Sequence, residues 1–160
     1  MIHEELKFSR YFTYNANLVL KGSSVIQKEF SLYPAYRVFQ IQAGDFGNSE
    51  YKSFGRIDFV MNYKKHTYVV EVKYYPYSSG EFWDAMKVLG YTEYFMFQTG
   101  MKDIKPAIFM PVENIKLEHQ YICSRLKITL FGIVKNEEEQ IKYKLIPMGD
   151  QPYYKTTGKR

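Results

Sequence analysis

The chain has 160 residues, enough for one domain with one continuous core. At 46% hydrophobic and 24% charged it has the composition of a folded globule, and its single cysteine, Cys123, excludes an internal disulfide and any multi-cysteine zinc or iron–sulfur cage. The formal net charge of +5 favours a polyanionic partner, because each phosphate that a protein neutralises releases counterions.

The N-terminus is charged from its third residue and lacks an apolar signal core. No apolar run approaches the ~20 residues that span a bilayer. The expectation is a soluble, cytoplasmic protein with no membrane partner. His3 to Leu20 is predicted to be a helix stopped by Gly22. Ser24 and Gln27 have the spacing of a capping box, which predicts a short second helix ending near Phe30, before Pro34. Arg37 to Ala43 alternates apolar and polar residues and is expected to be a half-buried strand. Gly44 to Gly55 is loop-like. Arg56 to Tyr63 and Thr67 to Tyr75 are strands joined by a turn carrying Lys64, Lys65 and His66, an antiparallel hairpin.

Ser78 and Glu81 repeat the capping spacing and open a helix from about Glu81 to Gln98, ended by Gly100. Ala107 to Met110 is a short strand stopped by Pro111. Leu126 to Val134 and Ile141 to Pro147 pair as a late hairpin, and a polar tail runs from 149 to 160. The fold class is α+β or α/β, with helices around one central sheet and a β-rich end.

The chemistry concentrates in Gly55-Arg56-Ile57-Asp58, a hairpin, and then Val70-Glu71-Val72-Lys73. Residues two apart on a strand share a face, so Glu71 and Lys73 project together while Val70 and Val72 pack inward. A tight hairpin brings Asp58, thirteen residues earlier, beside Glu71. Two adjacent carboxylates repel unless a cation sits between them. Hard oxygen donors on a rigid sheet suit Mg²⁺ or Mn²⁺, with the Val72 carbonyl as a further ligand. Lys73 can then act on an attacking water or on charge developing at a phosphate. The plain alternative is a cross-strand surface salt bridge. Acid-x-Lys by itself is uninformative, since Glu5-Leu6-Lys7 and Asp103-Ile104-Lys105 also have it. The first falls in a helix and the second in the loop after Gly100.

With its hairpin context, the pattern resembles the PD-(D/E)XK nuclease superfamily, over roughly residues 23 to 110. Asp58 matches the first acid, Glu71 the second and Lys73 the lysine, and Gly55-Arg56 looks like the Gly-Arg-x-Asp of many members. Ile57 stands where the name-giving proline would be. The resemblance implies a restriction-endonuclease-like core, a central mixed sheet flanked by helices, here with an extra C-terminal β-hairpin. It also implies a Mg²⁺-dependent deoxyribonuclease acting on DNA, with RNA and the choice of endo or exo cutting left open. Trp83, Lys87 and Tyr91 line one helical stripe, and Lys87-x-x-x-Tyr91 is similar to the Gln-x-x-x-Tyr of RecB-like members, with Lys in place of Gln. Phe82, Met86 and Leu89 form a second stripe, expected to bury. An ordinary Asp84–Lys87 pair is the alternative use of that lysine.

Arg56, Lys87, Tyr91 and Trp83 are the expected substrate contacts. Glu29 is the chosen counterpart of the glutamate that many members carry on their first helix. Tyr74, Tyr75 and Tyr77 either stack on unpaired bases or roof the sheet. Holliday-junction-resolvase-like relatives work as dimers, so a homodimer is one assembly the resemblance allows. A nuclease fold that only binds nucleic acid or a protein is the competing function.

Overall fold

A hairpin pairs residues 59–63 with residues 66–70 through Lys64 and Lys65, both in the left-handed conformation (φ +48° and +67°). The structure is a computed structural model that describes residues 2–45, 52–74, 80–135 and 143–148. The chain runs α1 (Ile2–Val19), β1 (Ser24–Leu32), α2 (Ala35–Gln42), β2 (Gly55–Tyr63), β3 (His66–Val72), α3 (Gly80–Thr99), β4 (Ile104–Pro111), α4 (Leu117–Arg125), β5 (Thr129–Lys135) and β6 (Tyr143–Pro147). Among the described residues this is a six-stranded mixed sheet with four helices, of the α+β class.

Strand order follows chain order, β1 to β6. The first three strands form an antiparallel meander, β3–β4 and β4–β5 are parallel, and β5–β6 is an antiparallel hairpin. Parallel neighbours need a crossover, which α3 and α4 supply. Both crossovers advance in one direction along the sheet, so the right-handed rule sends both helices to the same face.

Ala85, Val88 and Phe95 of α3 and Cys123 of α4 pack there on Val60, Val69, Ile108 and Leu130. On the opposite face, Phe12 and Ala16 of α1 cover Phe59, Val70, Phe109 and Phe131. Phe109 stacks edge-on with Phe59 (5.6 Å) and Phe131 (5.2 Å), so much of the aromatic content is core.

Three segments depart from the sequence-based expectation. Ser24–Leu32 is a strand, not a capped helix: it pairs with β2 from Ser24↔Asn62 to Leu32↔Gly55. The Ser-x-x-Gln spacing was coincidental, and the β-branched Val25 and Ile26 suit a pleated edge. Ala35–Gln42 is a helix, not a strand, entered through Pro34, whose fixed φ serves as its N-cap residue. Over eight residues, alternation and helical periodicity overlap, and only Val38 is buried. Helix α4 was not anticipated at all, because its inward side is His119, Gln120 and Cys123 rather than an apolar stripe. The Asp103-Ile104-Lys105 triplet is also not all loop, since Ile104 begins β4. Ser78, Tyr75, Tyr77, the loop 136–140 and the tail 149–160 lie outside the described residues, as does the Glu81 side chain.

Candidate functional site

Asp58 stands where β2 peels away from β3. The last paired residues are Phe59 and Val70, after which β3 keeps its bonds to β4 (Val72↔Phe109) but loses β2. The vacated Val72 N–H donates instead to Asp58 Oδ2 at 2.7 Å. A change of face along β2 makes this turn of the side chain: Ile57 belongs to the core under α3 and Phe59 to the core under α1, although residues two apart on a regular strand share a face. Opposite, between Lys28↔Phe59 and Phe30↔Ile57, Glu29 adopts φ +49°. This departure from regular strand geometry at Glu29 lies opposite Asp58.

Glu71 lies one residue before the Val72 amide and is buried. Its Oε2 is 3.6 Å from Lys87 Nζ, while Oε1 is buried with no hydrogen-bond partner among the described residues. Burial foremost, and the Asp58 charge next, push the Glu71 carboxyl up to about 8, against the pull of Lys87 and Lys73. Asp58 is also raised, by desolvation, with the Val72 amide, the Ser9 hydroxyl of α1 and the two lysines opposing. The Asp58 charge thus makes Glu71 harder to ionise, while Asp58 itself is raised by burial.

Lys73 directly follows β3, its N–H donating to the Phe109 carbonyl at 2.8 Å, and its ammonium is held by Asp84 of α3, Nζ to Oδ1 at 3.0 Å, with both side chains nearly buried. Sequence reasoning missed Asp84 as a site residue, pairing it only with Lys87. The structure separates these two: Asp84 takes Lys73 and Lys87 takes Glu71. A signal existed. Asp84, Val88, Thr92 and Phe95 recur at helical spacing and are all buried, so an acid sits on the inward stripe of α3. The stripe expected to bury is not that one, since Met86 is exposed. Ser9, on the buried side of α1, carried no legible signal.

Asp58, Glu71, Val72, Lys73, Arg56, Lys87 and Tyr91 line one recess of about 300 Å³, closed on the α1 side by Leu6 and Ser9. Gly55 and Tyr91 interlock at its edge: a Cβ on Gly55 would lie 2.8 Å from Tyr91 Cζ and closer still to the hydroxyl. The Gly-Arg before Asp58 and the Lys-x-x-x-Tyr on α3 are therefore two halves of one contact. Lys87 Nζ is 5.4 Å from the Tyr91 ring centroid.

Not every expected residue is in the recess. Trp83 is 75% exposed and outside its lining. Glu29 is on a strand rather than the first helix, and binds Arg10 (2.9 Å) and Arg56 (3.4 Å), so it positions Arg56. Tyr74 packs on Phe8 of α1, ring centroids 4.6 Å apart, as a roofing residue does.

The hard-oxygen set available to a cation is the carboxylates of Asp58 and Glu71, the latter with an orphaned buried oxygen. Among the described residues no three His, Cys, Asp or Glu side chains gather into a closed cage. His119 is used structurally, its Nδ1 accepting from the Lys116 N–H at 3.0 Å. No described helix is long and apolar enough to cross a membrane.

The chain matches no family model and no curated protein. Its fold is similar to the crystal structure of an XisH family protein from Nostoc punctiforme PCC 73102, with a TM-score of 0.46 and 9% identity over 85% of this chain and 98% of that one.

Proposed function

We propose that the chain is a metal-dependent nuclease with a restriction-endonuclease-like core, hydrolysing phosphodiester bonds of DNA at the Asp58–Glu71–Lys73 recess. One observation carries the reading: two buried carboxyls with raised pKa, Glu71 by burial and then the Asp58 charge and Asp58 by burial, meet at the fork between β2 and β3, and Glu71 has a buried oxygen with no partner among the described residues. Two buried carboxylates side by side cost stability when both are ionised, and a bound cation offsets that cost. Two carboxylates with open space suit Mg²⁺ or Mn²⁺, which keep waters and accept phosphate oxygens. Asp58, Glu71 and the Val72 carbonyl are the residues that would hold the ion. Bound there, it supplies charge against a phosphate oxygen and acidifies water.

The remaining work falls to the chain's own side chains. Lys73, its ammonium steadied by Asp84, faces the place where water adds to phosphorus and the ester P–O bond breaks. Arg56, at the mouth and braced by Glu29, and Lys87, once released from Glu71, meet phosphate oxygens as charge-assisted donors. Tyr91 orients Lys87, and Trp83 offers an exposed face to an unpaired base.

A second reading rests on the ion pairs themselves. Lys73 and Lys87 are already matched to Asp84 and Glu71, as in a neutralised cluster of a protein that binds nucleic acid, or a protein partner, without cutting. The experiment that separates the two incubates the protein with labelled linear, circular, single-stranded and branched DNA, and with RNA, in Mg²⁺, Mn²⁺ or EDTA. Cleavage in either metal that EDTA abolishes supports the nuclease. Retention of uncut nucleic acid in every condition supports the binding protein.

A further inference from the structure

A second recess lies at the other end of the sheet, where β3, β4 and β5 begin side by side (Thr67↔Ile104, Ala107↔Thr129). Helix α4 ends above it. The chain turns back to β5 through Lys127, in the left-handed conformation at φ +58°, and Ile128 N–H donates to the Cys123 carbonyl at 2.8 Å. The space enclosed is about 640 Å³, roughly twice that of the recess at Asp58. It falls within the ~300–1,000 Å³ of small-molecule sites.

Its chemistry is one-sided. The ionisable side chains on its rim are Lys105, Lys127 and His66, and among the described residues no carboxylate lines it. Neither lysine makes an ion pair among the described residues, whereas Lys73 and Lys87 at the first recess both do. Its lining wraps the end of the sheet and is apolar on both sides of it: Tyr68 is buried on the face that α1 covers, Ile128 and Leu130 on the face that α3 and α4 cover. The exposed His66 ring stands edge-on to Tyr68, with centroids 6.2 Å apart. Cations over an apolar lining with a flat ring at one side fit a ligand that is anionic at one end and flat and weakly polar at the other.

We infer that this recess is a second binding site, for a nucleoside monophosphate unit, either free or at the end of a strand. The phosphate lies between Lys105 and Lys127 and the base over Tyr68 against His66. The site is independent of the proposed cutting centre. His66 and Glu71 stand near opposite ends of β3, five residues or about 16 Å apart at ~3.3 Å per residue.

The test is a titration of the full-length chain in EDTA, followed by amide NMR, with inorganic phosphate, adenosine 5′-monophosphate and a 5′-phosphorylated trinucleotide as separate probes. Shifts at residues 66–68, 105 and 123–130 are expected with one or both nucleotide probes, whether or not the trinucleotide also shifts residues near Trp83, and which probe moves this set tells a free ligand from a strand end. Lys105→Gln with Lys127→Gln should weaken that binding about tenfold or more, the scale of one or two charge-assisted hydrogen bonds. Lys87→Gln should leave it unchanged. Both lysines are exposed, so the variants should fold, and circular dichroism checks this. The inference is overturned if no probe shifts these residues, if shifts map to Asp58 and Glu71 instead, or if the folded double variant binds as the wild type does. It is also overturned if inorganic phosphate binds as tightly as the nucleotides, since the apolar lining then takes no part. None of these outcomes depends on whether the protein cuts DNA.

Discussion

Lys73 Nζ lies 3.0 Å from Asp84 Oδ1, with side chains only 11% and 8% exposed, so this ion pair joins β3 to α3 across the edge of the site. Deleting one member of a buried pair leaves the other charge desolvated, at a cost of roughly 3–5 kcal/mol. Asp84→Ala is therefore expected to lower stability by about that amount in urea denaturation. Asp84→Ala with Lys73→Met should recover a large part of it, because the nearly buried ammonium that Asp84 offsets is removed as well. Additive losses would show that the pair is not coupled.

Glu71 gives the protein without metal an inverted pH dependence. Its carboxyl is raised from 4.5 to about 8 on folding, so between these values the folded chain holds a proton that the unfolded chain has released. The contribution is fully present below about pH 4.5 and is lost as pH rises through 8, on the order of a few kcal/mol. Thermal melts in EDTA should thus show a stability loss from pH 5 to about pH 8 that Glu71→Gln largely removes. A divalent cation should restore stability at the alkaline end, because binding it favours the ionised carboxylates. A flat profile for the wild type would contradict this.

Gly55→Ala should destabilise the protein through one contact. The added methyl meets the Tyr91 ring, and overpacking of that kind costs about 1–3 kcal/mol. Tyr91→Ala in the same chain should relieve most of the penalty. An equal penalty with and without Tyr91 would mean that the glycine is needed for some other reason.

Trp83 is the only tryptophan and is 75% exposed, so its fluorescence is a clean reporter. Trp83→Ala should change stability by less than about 0.5 kcal/mol. The proposed contact with an unpaired base predicts quenching by single-stranded oligonucleotide, with binding weakened by about 1–3 kcal/mol in the variant. Unchanged emission and affinity would remove Trp83 from the substrate path.

The parts of the site that could be read from the sequence are those fixed by local rules. Glu71 and Lys73 share a face because a strand has period two, and a tight turn returns Asp58 to them. The elements that could not be read depend on distant partners. Ser24–Leu32 is a strand because β2 lies beside it, and α4 hides polar residues on its inward side. Asp84 looked locally satisfied by Lys87, and only the crossover that lays α3 on β3 reveals its partner as Lys73. The Gly55–Tyr91 contact likewise joins motifs 36 residues apart, which no spacing rule connects.

The most direct measurement compares the rate at which wild-type protein and the Glu71→Gln and Asp58→Asn variants, each verified as folded, cleave one labelled DNA in Mn²⁺ and in EDTA. The account predicts cleavage by the wild type in Mn²⁺ alone, with a loss of at least about a hundredfold in either variant, the scale of removing a group that stabilises transition-state charge. Wild-type cleavage undiminished by EDTA, or variants that cut as fast as the wild type, would contradict it.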